Sequence, residues 1–169
     1  MMKQFSLVPE IHKTATFDEF YQEFGVNEKD LILTIEPIFD TYLKNRSEKF
    51  TVIFPEKYAL GEPTDEMIDR ILADIQSVDY NRVIAIGGGS IVDIAKLFAL
   101  KQGERSEQLF LREIPIVKEK KLIIIPTTCG TGSEVTNISI ALLTRKNTKL
   151  GLADNAICAD QAVMIPELL

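Results

Sequence analysis

Two stretches of this 169-residue chain place small and hydroxylated residues directly behind apolar runs. The first reads Val83-Ile-Ala-Ile-Gly87-Gly88-Gly89-Ser90. If the apolar run is a buried strand and the segment after Ser90 a helix, the glycines let a bulky anion approach the backbone closely. The first amides of the helix then point outward without partners. That is the chemistry of a phosphate or diphosphate cradle. The spacing is not the dinucleotide fingerprint G-x-G-x-x-G, because counting from Gly87 the third glycine position holds Val92. No Gly-Lys-Ser/Thr follows, so it is not a P-loop either. A ligand-free alternative stands beside the cradle: Ser90 and Asp93 have the S-x-x-D spacing of a capping box. Asp93 also puts a negative charge into the first turn, offset in part by Lys96.

The second stretch is Pro126-Thr127-Thr128-Cys129-Gly130-Thr131-Gly132-Ser133-Glu134. Its hydroxyls can donate to phosphate or ribose, and its backbone can form a second anion nest. Thr131 and Glu134 again allow a cap, T-x-x-E, so alone this loop argues weakly. Two such loops behind neighbouring strands make a stronger case for a nucleotide crevice. Cys129 has no histidine near it in sequence; the only one, His12, sits in a charged N-terminal segment. Cys129 therefore reads as a small residue filling a tight loop, Cys158 as core, and His12 as solvated surface. Two cysteines make neither a disulfide framework nor a metal site.

Strands and helices must position these loops. Leu31–Ile35, Thr51–Phe54, Val83–Ile86 and Leu122–Ile125 are continuously apolar, which predicts strands covered on both faces. Between them, Asp65–Ser77 behind a Thr64 N-cap, Pro37–Ser47 and Ile91–Lys101 have helical periodicity. A short helix is predicted over Thr16–Phe24, opened by a Thr16/Glu19 capping box. Val135–Leu143 and Thr148–Ala153 predict an antiparallel excursion, and Ile157–Ile165 a last strand. The expected fold is α/β, a doubly wound, mostly parallel, Rossmann-like sheet with a hairpin near residues 135–153, all in one domain of residues 1–169.

With 46% hydrophobic and 26% charged residues, the chain can build a core. Its 25 acidic against 19 basic residues, net charge -6, disfavour nucleic acid and anionic membranes as partners. No apolar run reaches spanning length, and no secretory signal opens the chain, so a cytoplasmic location is expected.

Gly87-Gly-Gly-Ser-Ile-Val-Asp-Ile-Ala-Lys96, Pro126-Thr-Thr-Cys-Gly-Thr-Gly-Ser-Glu134, Leu152-Ala-Asp154 and Ala159-Asp160 together resemble the nucleotide-binding half of the iron-containing (group III) alcohol dehydrogenases. Thr127–Ile140 and Gly151–Asp154 are most similar to the branch of that family acting on 4-hydroxybutyrate. The resemblance implies an NAD or NADP site: Gly88, Gly89 and Ser90 at the diphosphate, Thr127 and Thr128 on the adenosine side, Thr131 near phosphate or ribose, and Lys149 at the nicotinamide ribose. Asp93 would border this site at the helix start. The resemblance also implies a small alcohol or aldehyde substrate, a homodimer for the full-length enzyme, and iron or zinc held by a helical C-terminal domain that is not in this chain. No catalytic residue and no metal ligand is expected here, so these residues alone should not oxidise an alcohol. Two positions depart from the family pattern. Ile35, followed by Glu36, stands where NAD-preferring relatives often carry an acid, and Glu62-Pro63-Thr64 replaces a common Asn-Pro-Thr. Other expectations are an apolar surface around Ala159–Leu169 that promotes self-association, and an N-terminal strand at Met2–Val8 that could join a dimer. A nucleotide- or phospho-ligand-binding module without catalysis is the alternative.

Overall fold

A computed structural model describes residues 7–46 and 49–169. Six parallel strands form one sheet: β1 (Glu10–Lys13), β2 (Asp30–Leu33), β3 (Thr51–Ile53), β4 (Arg82–Gly87), β5 (Lys121–Pro126) and β8 (Gln161–Met164), in the order β1-β8-β5-β4-β2-β3. The four apolar runs become β2, β3, β4 and β5 because both their faces are covered. Leu31, Leu33, Val83, Ala85, Leu122 and Ile124 meet helices α3 (Asp65–Asp74) and α4 (Gly89–Phe98) on one side. Ile32, Ile84, Ile86, Ile123 and Ile125 meet Phe17 and Phe20 of α1 (Phe17–Glu23) and Leu43 on the other. Successive strand residues point to opposite faces, so a two-sided sheet needs uninterrupted apolarity. Strand order reverses between β2 and β4, the switch point where such sheets hold ligands.

Caps set several boundaries. Thr64 Oγ1 accepts from the Met67 amide at 3.1 Å, and Thr16 Oγ1 from the Glu19 amide at 3.2 Å. The expected reciprocal arm of the second box goes elsewhere: Glu19 Oε2 accepts from the Ala15 amide at 2.7 Å. The helix predicted over Pro37–Ser47 is α2 (Glu36–Ile38) running into a π-helical turn, Phe39–Leu43; Ser47 lies outside the described residues. Within that turn Thr41 Oγ1 donates back to the Pro37 carbonyl at 2.8 Å, a competitor for regular helix bonding. A further short helix, α5 (Glu107–Phe110), was not legible in the sequence.

The excursion is a separate two-stranded antiparallel sheet, β6 (Ile138–Leu143) and β7 (Thr148–Ala153), turned at Asn147 with φ 47°. Asparagine tolerates this left-handed conformation better than most residues. Ser139, Ala141, Leu143 and Leu152 are buried beneath the hairpin, while Ile138 and Ile140 face out. The hairpin is bolted to the chain before α3: the Leu142 amide donates to the Pro63 carbonyl at 2.9 Å, and Thr144 donates through its amide and hydroxyl to Asp65 Oδ1 at 2.9 and 2.7 Å.

The C-terminal stretch differs from expectation. Residues 155–157 form a 3₁₀ turn and only Gln161–Met164 pairs, between β5 and β1. Ala159, Ala162, Val163 and Ile165 are buried in the sheet rather than exposed; Leu169 is the large apolar residue of that stretch that faces out. This removes the stated ground for self-association. Residues 2–6 of the strand expected at Met2–Val8 lie outside the described residues, and the described N-terminal strand is β1. His12, within β1, is half-buried: its ring meets Phe24 edge-on and Gln161 Nε2 at 3.3 Å. Among the described residues no helix is long and apolar enough to cross a membrane.

Tyr58, in the segment leading to α3, donates to Asp74 Oδ2 at 2.7 Å. Burial, with this bond second, pushes its hydroxyl up to about 12 from 10.0. A raised phenol stabilises the fold fully below pH 10 and loses that contribution as pH climbs toward 12. Alkaline unfolding should therefore be less steep over pH 10–12 in Tyr58→Phe than in the wild type, as read by circular dichroism; identical slopes would refute the assignment.

Candidate functional site

Gly87 closes β4 and Pro126 closes β5, and the two are paired in register. Both expected loops thus leave the same edge side by side, and the Thr127 amide donates to the Gly87 carbonyl at 3.1 Å. Each glycine there has a different reason. A Cβ on Gly87 would lie 2.7–2.8 Å from the Ile91 side chain, so this glycine is needed for folding. A Cβ on Gly88 would meet Thr128 at 3.4 Å, and one on Gly89 would meet Ser133 and Thr131 at 3.6–3.7 Å. These two are spared a side chain where the loops face each other. The backbone of Gly130 and Gly132, φ 125° and 65°, is left-handed and lets the second loop turn back over the first.

Gly88 is the N-cap of α4 and makes no side-chain cap bond; the first helical bond runs from the Val92 amide to the Gly88 carbonyl at 3.1 Å. The amides of Gly89, Ser90 and Ile91 therefore precede the helical ladder at its positive end. The S-x-x-D box does not form. Ser90 lies inside the helix with its side chain exposed, and Asp93 Oδ2 accepts instead from the Ile140 amide at 3.2 Å. The T-x-x-E box is absent too: no helix follows, and Thr131 Oγ1 accepts from Ser133 Oγ at 3.1 Å within a turn. The first box fails because the hairpin takes its acceptor, the second because no helix starts there for it to cap.

A cleft of about 410 Å³ opens between these loops and the hairpin. Gly89, Ser90, Asp93, Thr131 and Lys149, all expected site residues, line it. Gly88, Thr127 and Thr128, also expected, are not among the residues that line it, although Thr128 packs beside Gly88. Ser133, Thr136, Ile138, Ile140 and Ala141 were not foreseen as lining. The sequence carried no clear signal for this wall: residues 138–143 read Ile-Ser-Ile-Ala-Leu-Leu, and the polar Ser139 is the buried one while Ile138 and Ile140 face the cleft. Glu62 and Pro63, the departure from Asn-Pro, close the far side. Glu62 pairs with Lys149 Nζ across the mouth at 2.5 Å.

Burial raises the Asp93 carboxyl above its usual range despite Lys96 nearby, and burial lowers Lys96 despite Asp93. Cys158 is buried as expected, its thiol pushed up by burial, whereas Cys129 is exposed. Among the described residues no three His, Cys, Asp or Glu side chains come together as a metal site.

Comparisons with known proteins agree on one lineage. The sequence profile of the iron-containing alcohol dehydrogenases matches residues 12–166. The 4-hydroxybutyrate dehydrogenase of Clostridium kluyveri is 48% identical over 168 residues, 99% of this chain and 45% of that protein. Long-chain-alcohol dehydrogenase 1 of Geobacillus thermodenitrificans is 38% identical over 112 residues, 63% of this chain and 28% of that one. The fold superposes on sulfoacetaldehyde reductase from Bifidobacterium kashiwanohense, solved with NAD+, with TM-score 0.82 and 20% identity over 99% of this chain and 47% of that structure. The chain thus spans less than half the length of these relatives. Profile, sequence and fold point the same way, and the chain belongs to the iron-containing alcohol dehydrogenase family.

Proposed function

We propose that this chain is the dinucleotide-binding half of a metal-dependent alcohol dehydrogenase that interconverts 4-hydroxybutyrate and succinate semialdehyde. The observation that carries the binding half is the paired end of β4 and β5, where Gly88 and Gly89 face the Thr128, Thr131 and Ser133 side chains of the second loop with no side chain of their own. Identity of 48% along nearly the whole chain supports the substrate. When bound, NAD or NADP supplies the hydride acceptor or donor. The amides of Gly89 and Ser90 and the positive end of α4 hold its diphosphate. Thr127 and Thr128 support the adenosine side, and Thr131 donates its hydroxyl to phosphate or ribose. Lys149 exchanges its Glu62 partner for a ribose hydroxyl. Asp93 borders the cradle at the helix start, where its carboxyl accepts from the hairpin amide of Ile140.

The metal is another matter. The only histidine, His12, lies in edge strand β1, separated from β4 by β8 and β5, and no donor cluster is present among the described residues. These residues do not fit a divalent ion, and substrate activation is not assigned to them. Calorimetric titration of the 169-residue chain with NAD and with NADP tests the proposal. Saturable one-to-one binding of at least one dinucleotide, without alcohol turnover, is expected; binding of neither would overturn it.

A further inference from the structure

We propose that Lys96 is a positioning residue for the cleft, acting through the β6 wall rather than on the ligand; this rests on the dinucleotide reading above. Lys96 is fully buried, about two turns beyond the glycine cradle on the same helix. Its Nζ donates to the Ile138 carbonyl at 2.7 Å and to Thr136 Oγ1 at 3.1 Å, and both residues line the cleft. One turn earlier, Asp93 accepts from the Ile140 amide at 3.2 Å and, through its backbone carbonyl, from Ser139 Oγ at 2.8 Å. Helix α4 thus presents the cradle at its tip and holds residues 136–140 along its flank. The floor and one wall of the cleft are referenced to a single rigid element.

A buried ammonium is a costly way merely to fill space, since a well-packed apolar chain of similar volume does as well or better. What an apolar chain cannot do is hold a strand's carbonyl and a loop hydroxyl at fixed positions. Charged hydrogen bonds are directional and are stronger than neutral ones in a site shielded from water. The clamp therefore acts on placement: the Thr136 and Ile138 side of the cleft stays at one distance from the amides of Gly89 and Ser90.

Hydrogen exchange by mass spectrometry on the ligand-free chain reads the clamp without any cofactor. In Lys96→Met, amides of residues 136–142 should exchange about tenfold faster while those of β2 and α3 keep wild-type protection. Dinucleotide affinity, by calorimetry, should fall about tenfold in the same variant. In Lys96→Ala, added n-propylammonium should restore both, and n-propanol neither. Wild-type exchange in residues 136–142, or equal rescue by propanol, would overturn the proposal. Should Lys96→Met fail to fold, Thr136→Val removes one arm alone. Faster exchange confined to the same segment then supports the clamp, and unchanged exchange overturns it. If the wild type binds neither dinucleotide yet Lys96→Met loosens 136–142, the clamp holds and the dinucleotide reading falls.

Discussion

Gly88→Val is expected to weaken binding of NAD or NADP by about a hundredfold or more, roughly 3 kcal/mol, with little loss of stability. The backbone at Gly88 has φ −79° and ψ −176°, which valine adopts freely. A Cβ there would already touch Thr128 at 3.4–3.5 Å, so the two γ-methyl groups must turn into the gap between the loops. That gap is where the diphosphate would meet the amides of Gly89 and Ser90. Displacing an anion from its N–H donors removes charge-assisted bonds and leaves those donors facing apolar surface. Gly87→Ala should show the reverse. Its Cβ would press within 2.8 Å of the Ile91 Cβ, an atom that cannot move without the helix, and overpacking of this kind costs about 1–3 kcal/mol of stability. Calorimetry paired with urea unfolding separates the two variants. Wild-type affinity in a folded Gly88→Val would remove the cradle from the account.

The largest effect on stability is expected at the opposite end of β4. Arg82 and Asp30 are register partners on β4 and β2. The guanidinium meets the carboxylate twice, Nε to Oδ1 and Nη2 to Oδ2, both at 2.7 Å. Its remaining donors satisfy the carbonyls of Phe24 at 2.8 Å and Gly25 at 3.1 Å, tying the end of α1 to the sheet. Asp30 is 1% exposed, so Arg82→Leu would strand a buried carboxylate with only the Asn27 amide, at 2.8 Å, and would take the guanidinium from the Phe24 carbonyl, while the Gly25 carbonyl keeps Asn27 Nδ2 at 2.8 Å. Losing one partner of such a pair costs about 3–5 kcal/mol. For a chain of this length the thermal midpoint should fall by roughly 10 °C. The exposed pair Lys29–Asp79, 2.5 Å apart, is the contrast: Lys29→Met should leave the midpoint unmoved, because water screens both charges. A melting curve of Arg82→Leu overlying the wild type would show that the bidentate pair is not needed.

How much was legible follows from the range of the interactions involved. The runs that became β2, β3, β4 and β5 could be read because strands buried on both faces must be apolar at every position, a local and redundant signal. The hairpin was legible for a different reason: Arg145-Lys146-Asn147 supplies a turn between two segments of strand length. Strand β1, Glu-Ile-His-Lys, was missed because its faces are largely uncovered and so need no apolar run; its Ile11 is exposed. The capping boxes at Ser90 and Thr131 were mistaken as local motifs. Spacing names the residues that could bond, whereas the competing donor at Asp93, the Ile140 amide, arrives from 47 positions away.

Residue order alone established two glycine-bearing loops, each behind a buried strand, and with them the chemistry this region of the chain can host. Such loops depend on backbone freedom and small side chains, which are properties of residue type. Only the tertiary structure decided that the loops leave adjacent strands at one level, that β6 supplies a wall, and that Lys149 and Glu62, 87 positions apart, meet at the mouth. Those outcomes depend on strand order and on the docking of the hairpin against α4. They are set by where apolar surface finds cover across the whole chain, and no window of neighbouring residues contains that information.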